Sequence, residues 1–246
     1  MKWWNRFPGC DEAVDRDQTV RALHFDAEGW ESVKARGDML EWRDALGNTL
    51  HVCFHARVAE HLAERPDIGS LRAFCRRKAD TGGGAVVSVE IVDIAGIPCL
   101  KAIDKYERRP AYSYEGAITI PLAESHFAIV MNATEHGDTG VREAMVTSHL
   151  LDRGELDLSR LQAAGPGSHP IPGWFRDPYD PGYEGRTLCS VSDDARFDAL
   201  FPDHPLSRVR SCLARIERTL TFDAAAPITF ATPLRIDDNA ESAAAP

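Results

Sequence analysis

Residues 85–134 read AVVSVEIVDIAGIPCLKAIDKYERRPAYSYEGAITIPLAESHFAIVMNAT. β-Branched and aromatic residues alternate there with polar ones, the period of a half-buried strand. Four runs separate: Ala85–Ile94, Cys99–Tyr106, Tyr112–Pro121 and Ser125–Thr134. Gly96-Ile97-Pro98 turns the chain after the first, and Arg108-Arg109-Pro110 after the second. Parallel neighbours need a crossover of about a dozen residues or more, and these links are far shorter. The sheet is therefore predicted to be a largely antiparallel meander.

Upstream, Met39-Leu40-Glu41-Trp42-Arg43 and Leu50-His51-Val52-Cys53-Phe54 flank a Gly47-Asn48 turn and read as a hairpin. Pro66-Asp67 opens a helix whose buried face is Leu71, Phe74 and Cys75, with Arg72, Arg76, Arg77 and Lys78 on the wet side. Gly82-Gly83-Gly84 stops it. A phosphate loop runs from strand through glycines into a helix, and the order here is reversed. Residues 1–36 read as an irregular segment.

Downstream, a helix is predicted over Val141–Leu151, with a stripe of Val141, Met145, Leu150 and Leu151, an N-cap at Asp138 or Thr139, and a stop at Gly154. Residues 154–204 are broken by Gly165-Pro166-Gly167, Pro170-Ile171-Pro172-Gly173 and Asp177-Pro178-Tyr179-Asp180-Pro181-Gly182. Proline removes amide donors and fixes φ, so no long element crosses this stretch. Its aromatic residues, Trp174, Phe175, Tyr179 and Tyr183, predict an ordered arm clamped to the core at 37–153. Pro205 then starts a last helix, within 205–222, on Leu206, Val209, Leu213, Ile216 and Leu220. The tail, 223–246, is read as loose at its end. The fold class is α+β: a curved antiparallel sheet packed by helices, with an arm and a C-terminal helix.

A chain of 246 residues buries roughly 70–75% of its unfolded surface and needs no staple. Hydrophobic content of 43% against 27% charged excludes collagenous and wholly disordered classes. With 28 basic and 38 acidic residues, the net charge of −10 argues against nucleic acid as partner. No signal or transit segment is readable at the N-terminus, and no apolar run approaches the ~20 residues of a membrane span. The expectation is a cytoplasmic chain without membrane contact. Six cysteines without a C-x-x-C pair read as reduced, mostly buried thiols.

Three constellations could carry chemistry. His51, Cys53 and His55 alternate on a strand and share one face, a possible zinc set with His61 as fourth ligand. Solvent-facing polar residues give the same pattern. Glu135, His136 and Asp138 gather at a strand-to-helix junction and could do acid–base work, although turns collect these residue types without it. Asp177, Asp180 and Glu184 fit no calcium loop and read as solvated turn residues. No nucleophile elbow, H-E-x-x-H or nucleotide loop accompanies them. No cofactor is called for.

The order hairpin, helix, glycine-led meander with Tyr114-Glu115-Gly116 and Phe127-Ala128-Ile129, then a helix from Gly140, resembles the Mog1/PsbP-like fold group over about residues 38–151. That resemblance implies a curved sheet packed by helices and a mostly non-enzymatic role, as in adaptors and the Eag-type chaperones of bacterial effectors. It assigns no residue. The expectation is a bacterial protein-binding module of chaperone, adaptor or immunity type. It would hold another protein chain on the sheet face or on the arm at Trp174, Phe175, Tyr179 and Tyr183. The alternative is a small enzyme using Glu135, His136 and Asp138.

Overall fold

Seven strands join in one sheet in which every neighbouring pair is antiparallel. The computed structural model describes residues 20–62, 67–108, 111–137, 139–156, 159 and 171–223. In chain order the elements are β1 (Leu23–His24), β2 (Glu31–Arg36), β3 (Met39–Arg43), β4 (Thr49–His55), α1 (Ile68–Thr81), β5 (Gly84–Ile94), β6 (Ile97–Arg108), β7 (Ala111–Pro121) and β8 (His126–Thr134). There follow α2 (Val141–Asp152), β9 (Phe175–Arg176), β10 (Cys189–Ser190), α3 (Pro205–Thr219) and β11 (Thr221–Phe222). The sheet runs β2-β3-β4-β8-β7-β6-β5. It is two meanders, β2–β4 and β5–β8, joined where β8 pairs with β4. The link between them carries α1 across the sheet.

Alternation sorts the strands into two faces. Leu50, Val52, Phe54, Ile103, Tyr114, Ile118, Ile120, Phe127, Ile129 and Met131 form the main core with Leu206, Val209, Leu213 and Ile216 of α3. That helix begins as its sequence implies: Pro205 occupies the first turn, and the N-cap His204 accepts from the Leu206 amide at 3.2 Å. On the other face Leu71, Cys75 and Ala79 of α1 pack on Val86, Val89, Leu100 and Ala102. Asp67 caps α1 by accepting from the Ser70 amide at 2.8 Å, and Gly82 closes it.

Gly116 is where α3 crosses β7. A Cβ there would meet Val209 Cγ1 at 2.4 Å and Leu213 Cδ1 at 2.8 Å, so only glycine lets the helix sit this close. Gly116→Ala should cost about 1–3 kcal/mol through overpacking, read as a lower urea midpoint with unchanged slope. An unshifted midpoint would mean that α3 can lift without cost.

Several expectations are corrected. The N-terminal segment is not irregular throughout, since Glu31–Arg36 forms the edge strand of the main sheet and Leu23–His24 pairs with Thr221–Phe222. All six residues of β2 are exposed, so no burial period marks the strand. It is held by pairing to β3. The β5–β6 turn lies at Ala95 and Gly96, with φ of 52° and 82°, so Ile97 and Pro98 already belong to β6. In α2 the buried residues are Arg142, Val146 and Leu150, while Val141 and Met145 are 47% and 55% exposed. Its N-cap is Gly140 with no side-chain cap bond, in place of Thr139; Asp138 lies outside the described residues, as does the tail from 224. The stripe is rotated because Arg142, not an apolar residue, is drawn inward. No helix among the described residues is long and apolar enough to cross a membrane.

Candidate functional site

The arm aromatics are spent largely on the molecule itself. Trp174 is 1% exposed and packs with Val146 and Leu150 of α2 and with Phe197. Tyr179 reaches the edge of β5, where its hydroxyl accepts from the Val89 amide at 2.6 Å and lies 3.2 Å from the Val89 carbonyl. The Arg72 guanidinium stacks on the Tyr179 ring at 4.1 Å, and that of Arg76 on the Tyr183 ring at 4.9 Å. Phe175 alone of the four stays exposed, at 41%.

Ion pairs complete the clamp. Arg76 grips Asp177 with two bonds of 2.8 Å, so Asp177 is a buried anchor and not a solvated turn residue. Lys78 bonds Asp104 and Glu115, both at 3.2 Å. The basic side of α1 is thus largely engaged. Lys105, buried in the centre of β6, bonds Asp193 at 2.9 Å, lies 3.6 Å from Glu143 and sits under the Tyr112 ring at 4.2 Å. Burial alone would lower its pKa, but Asp193 and Glu143 more than offset this and hold it above the ordinary lysine value. Arg142 donates to the Ser192 carbonyl at 2.7 Å, to Ser207 Oγ at 2.8 Å and to Asp198 at 2.9 Å. Isolated cations in a linear sequence carry no sign that distant carboxylates will meet them, so the partners of Lys105 and Arg142 are not legible there.

Of the proposed acid–base group, Glu135 and His136 are the described members. Glu135 is buried, accepting from the Tyr112 amide at 3.0 Å and pairing with His204 Nε2 at 3.2 Å. His204 Nδ1 accepts from Leu206, which leaves the ring proton on Nε2 for Glu135. Both groups are committed to capping and joining elements. His136 is exposed and Asp138 lies outside the described residues.

His51, Cys53 and His55 do share one face of β4, opposite Leu50, Val52 and Phe54. Among the described residues, however, no group of three or more His, Cys, Asp or Glu side chains could hold a metal ion. Side chains two apart on a strand stand parallel, roughly 7 Å apart, and do not converge on one point. Burial, helped by Asp38, pushes the Cys53 thiol up to about 11, away from the thiolate that zinc requires. Instead His55 stacks on the unanticipated His126 across β4–β8, with centroids 4.4 Å apart and planes at 16°. His126 Nδ1 donates to the Arg57 carbonyl at 2.7 Å, and His61 stacks on Phe74 at 4.3 Å.

This histidine-bordered surface is the second face of β3, β4, β8 and β7. Registers place three ladders on it: Met39–Cys53–Ala128–Thr119, Glu41–His51–Val130–Ala117 and Arg43–Thr49–Asn132–Glu115. α1 packs over β5 and β6, and no described helix covers these ladders. The strip between these ladders, the trough, has half-buried Cys53, Ala128, Thr119, Val130 and Ala117 along its floor beside the buried His51. Charged Glu41 and Arg43 flank one side, and the Lys78–Glu115 pair flanks the other. Compared with known proteins, the chain matches no family model and no curated sequence.

Proposed function

We propose that this chain is a non-enzymatic, cytoplasmic protein-binding module of the chaperone or adaptor kind, which holds a segment of another polypeptide in the trough over β3, β4, β8 and β7. One observation carries the reading. Among the described residues, α3 covers the sheet along one face, while α1 covers the β5–β6 end of the other and no described helix covers the rest. A floor of Cys53, Ala128, Val130, Ala117 and Thr119 lets a partner backbone approach closely, and burying such a face upon a partner is favourable by roughly 25 cal/mol per Å² of apolar area. The engagement of Trp174, Tyr179 and Tyr183 within the molecule supports reading the sheet, and not the arm, as the binding surface. Resemblance of the element order to the Mog1/PsbP-like group points the same way.

The test is affinity capture of the tagged full chain from its native cells, with variants on each surface. Wild type should retain one stoichiometric partner. Val130→Glu and Ala128→Arg, which put charge on the trough floor, should reduce its recovery at least tenfold with circular dichroism unchanged. Phe175→Ala should leave recovery intact. A partner retained by the trough variants but lost with Phe175→Ala would return the interface to the arm, and a lone protein would remove the reading.

A further inference from the structure

A second concavity lies on the opposite side of the sheet, where the arm and α3 close over β5 and β6. It encloses about 550 Å³, within the size range of small-ligand sites. Val87 and Ile103 form its floor, Pro178 and Val191 of the arm one wall, and Leu213 and Ala214 of α3 the other. A bulge in β5 shapes the floor. The β5–β6 register shifts between Val86 and Ser88, so that Val87 and Ser88, though consecutive, both line the groove. The walls are mainly apolar.

Charges at the rim can be followed one by one. Asp177 is taken by Arg76, and Asp193 by Lys105. Lys101 lies between Glu90 at 3.0 Å and Glu217 at 2.9 Å, and Arg210 bonds Asp198 at 2.9 Å and the Asp193 carbonyl at 2.6 Å. Asp194 accepts from the Arg196 amide at 2.9 Å and has that guanidinium 3.9 Å away. Arg176 remains. It stands on β9, fixed by pairing of its backbone with Cys189, and its guanidinium makes no ion pair or hydrogen bond among the described residues. The groove thus offers apolar walls and, in Arg176, a planar cation without a partner among the described residues, a geometry matched by a carboxylate on an apolar body.

We propose that this groove is a binding site for a small amphiphilic carboxylate, with its hydrocarbon between Val87, Ile103 and Leu213 and its carboxylate on Arg176. Each methylene taken from water contributes about 0.8 kcal/mol, so affinity should rise with chain length until the groove is filled. The site is independent of the trough and does not rest on its role.

Decanoate is the probe, titrated into the full chain by calorimetry and by ¹H–¹⁵N spectra, with decanol as the uncharged control. Decanoate should bind wild type in the micromolar to low-millimolar range and perturb the amides of Arg176, Val191 and Ala214. Arg176→Gln, an exposed substitution that leaves the core untouched, should weaken decanoate about tenfold while leaving decanol unchanged. Ala214→Trp, which fills the groove, should abolish both at an unchanged melting temperature. No decanoate binding to wild type would overturn the proposal. So would equal affinity for wild type and Arg176→Gln, or a groove-filled variant that still binds.

Discussion

Replacing Lys105 with methionine is expected to lower the free energy of unfolding by about 3–5 kcal/mol, the usual cost of removing one partner from a buried ion pair. Methionine matches the length of the stem, so little is lost in packing. What is lost is the cation between Asp193 and Glu143 and beneath Tyr112. The Asp193 side chain is only 3% exposed, so water replaces the ammonium poorly. It keeps the Ser190 amide and hydroxyl, at 2.9 and 3.2 Å, which is too little for a buried full charge. At about 2–4 °C per kcal/mol for a chain of this size, the melting temperature should fall by roughly 10 °C. Lys105→Met/Asp193→Asn should recover more than half of the loss, because asparagine can still accept from Ser190 without a charge. A cost below about 1 kcal/mol for the single variant, by urea unfolding at pH 7, would show that Asp193 is hydrated or reoriented and that the arm is not fastened there.

The same pair explains what the sequence could and could not reveal. The strands of 85–134 were legible because burial on alternate faces writes itself as a period of two, and α3 because Leu206, Val209, Leu213 and Ile216 keep three–four spacing. β2 was illegible because none of its residues is buried. The α2 stripe differs from its apolar spacing because Arg142 is drawn inward, to 2% exposed. Its partners Ser192, Asp198 and Ser207 lie 50–65 residues away in the chain, and nothing local announces them. The aromatics of the arm predict a clamped segment, and Trp174, Tyr179 and Tyr183 do pack on the molecule itself, but the residue types alone do not separate a partner surface from a core contact. The alternation of His51, Cys53 and His55 correctly predicted a shared face. Only the register with β8, which sets His126 beside His55, shows that this face is a stacked pair at the border of a trough.

Between pH 6.5 and 4 the protein should lose stability through those histidines. Burial, the neighbouring His55 ring and His61 hold His126 down at about 4, against the opposing pull of its bond to the Arg57 carbonyl. Burial and Lys78 hold His61 at about 4. His55 is also lowered by burial, with Asp38 opposing. A histidine whose pKa is depressed on folding binds fewer protons in the native state than in the unfolded chain across the interval between the two values. Its contribution is therefore fully present above about pH 6.5 and is lost as pH falls toward 4. Each pKa unit corresponds to about 1.4 kcal/mol. With allowance for partial solvent screening, His61 and His126 together should account for on the order of 4 kcal/mol. Protonation places charge in the half-buried His55–His126 stack at the β4–β8 end, which is where the loss originates. Urea unfolding at pH 7.5, 5.5 and 4.5 measures the slope directly. His61→Gln/His126→Gln should flatten it over this interval, since neither glutamine titrates, while leaving the Lys105–Asp193 region undisturbed. An equally steep decline in the double variant would assign the acid sensitivity to groups other than His61 and His126, His51, His55 and the carboxylates among them.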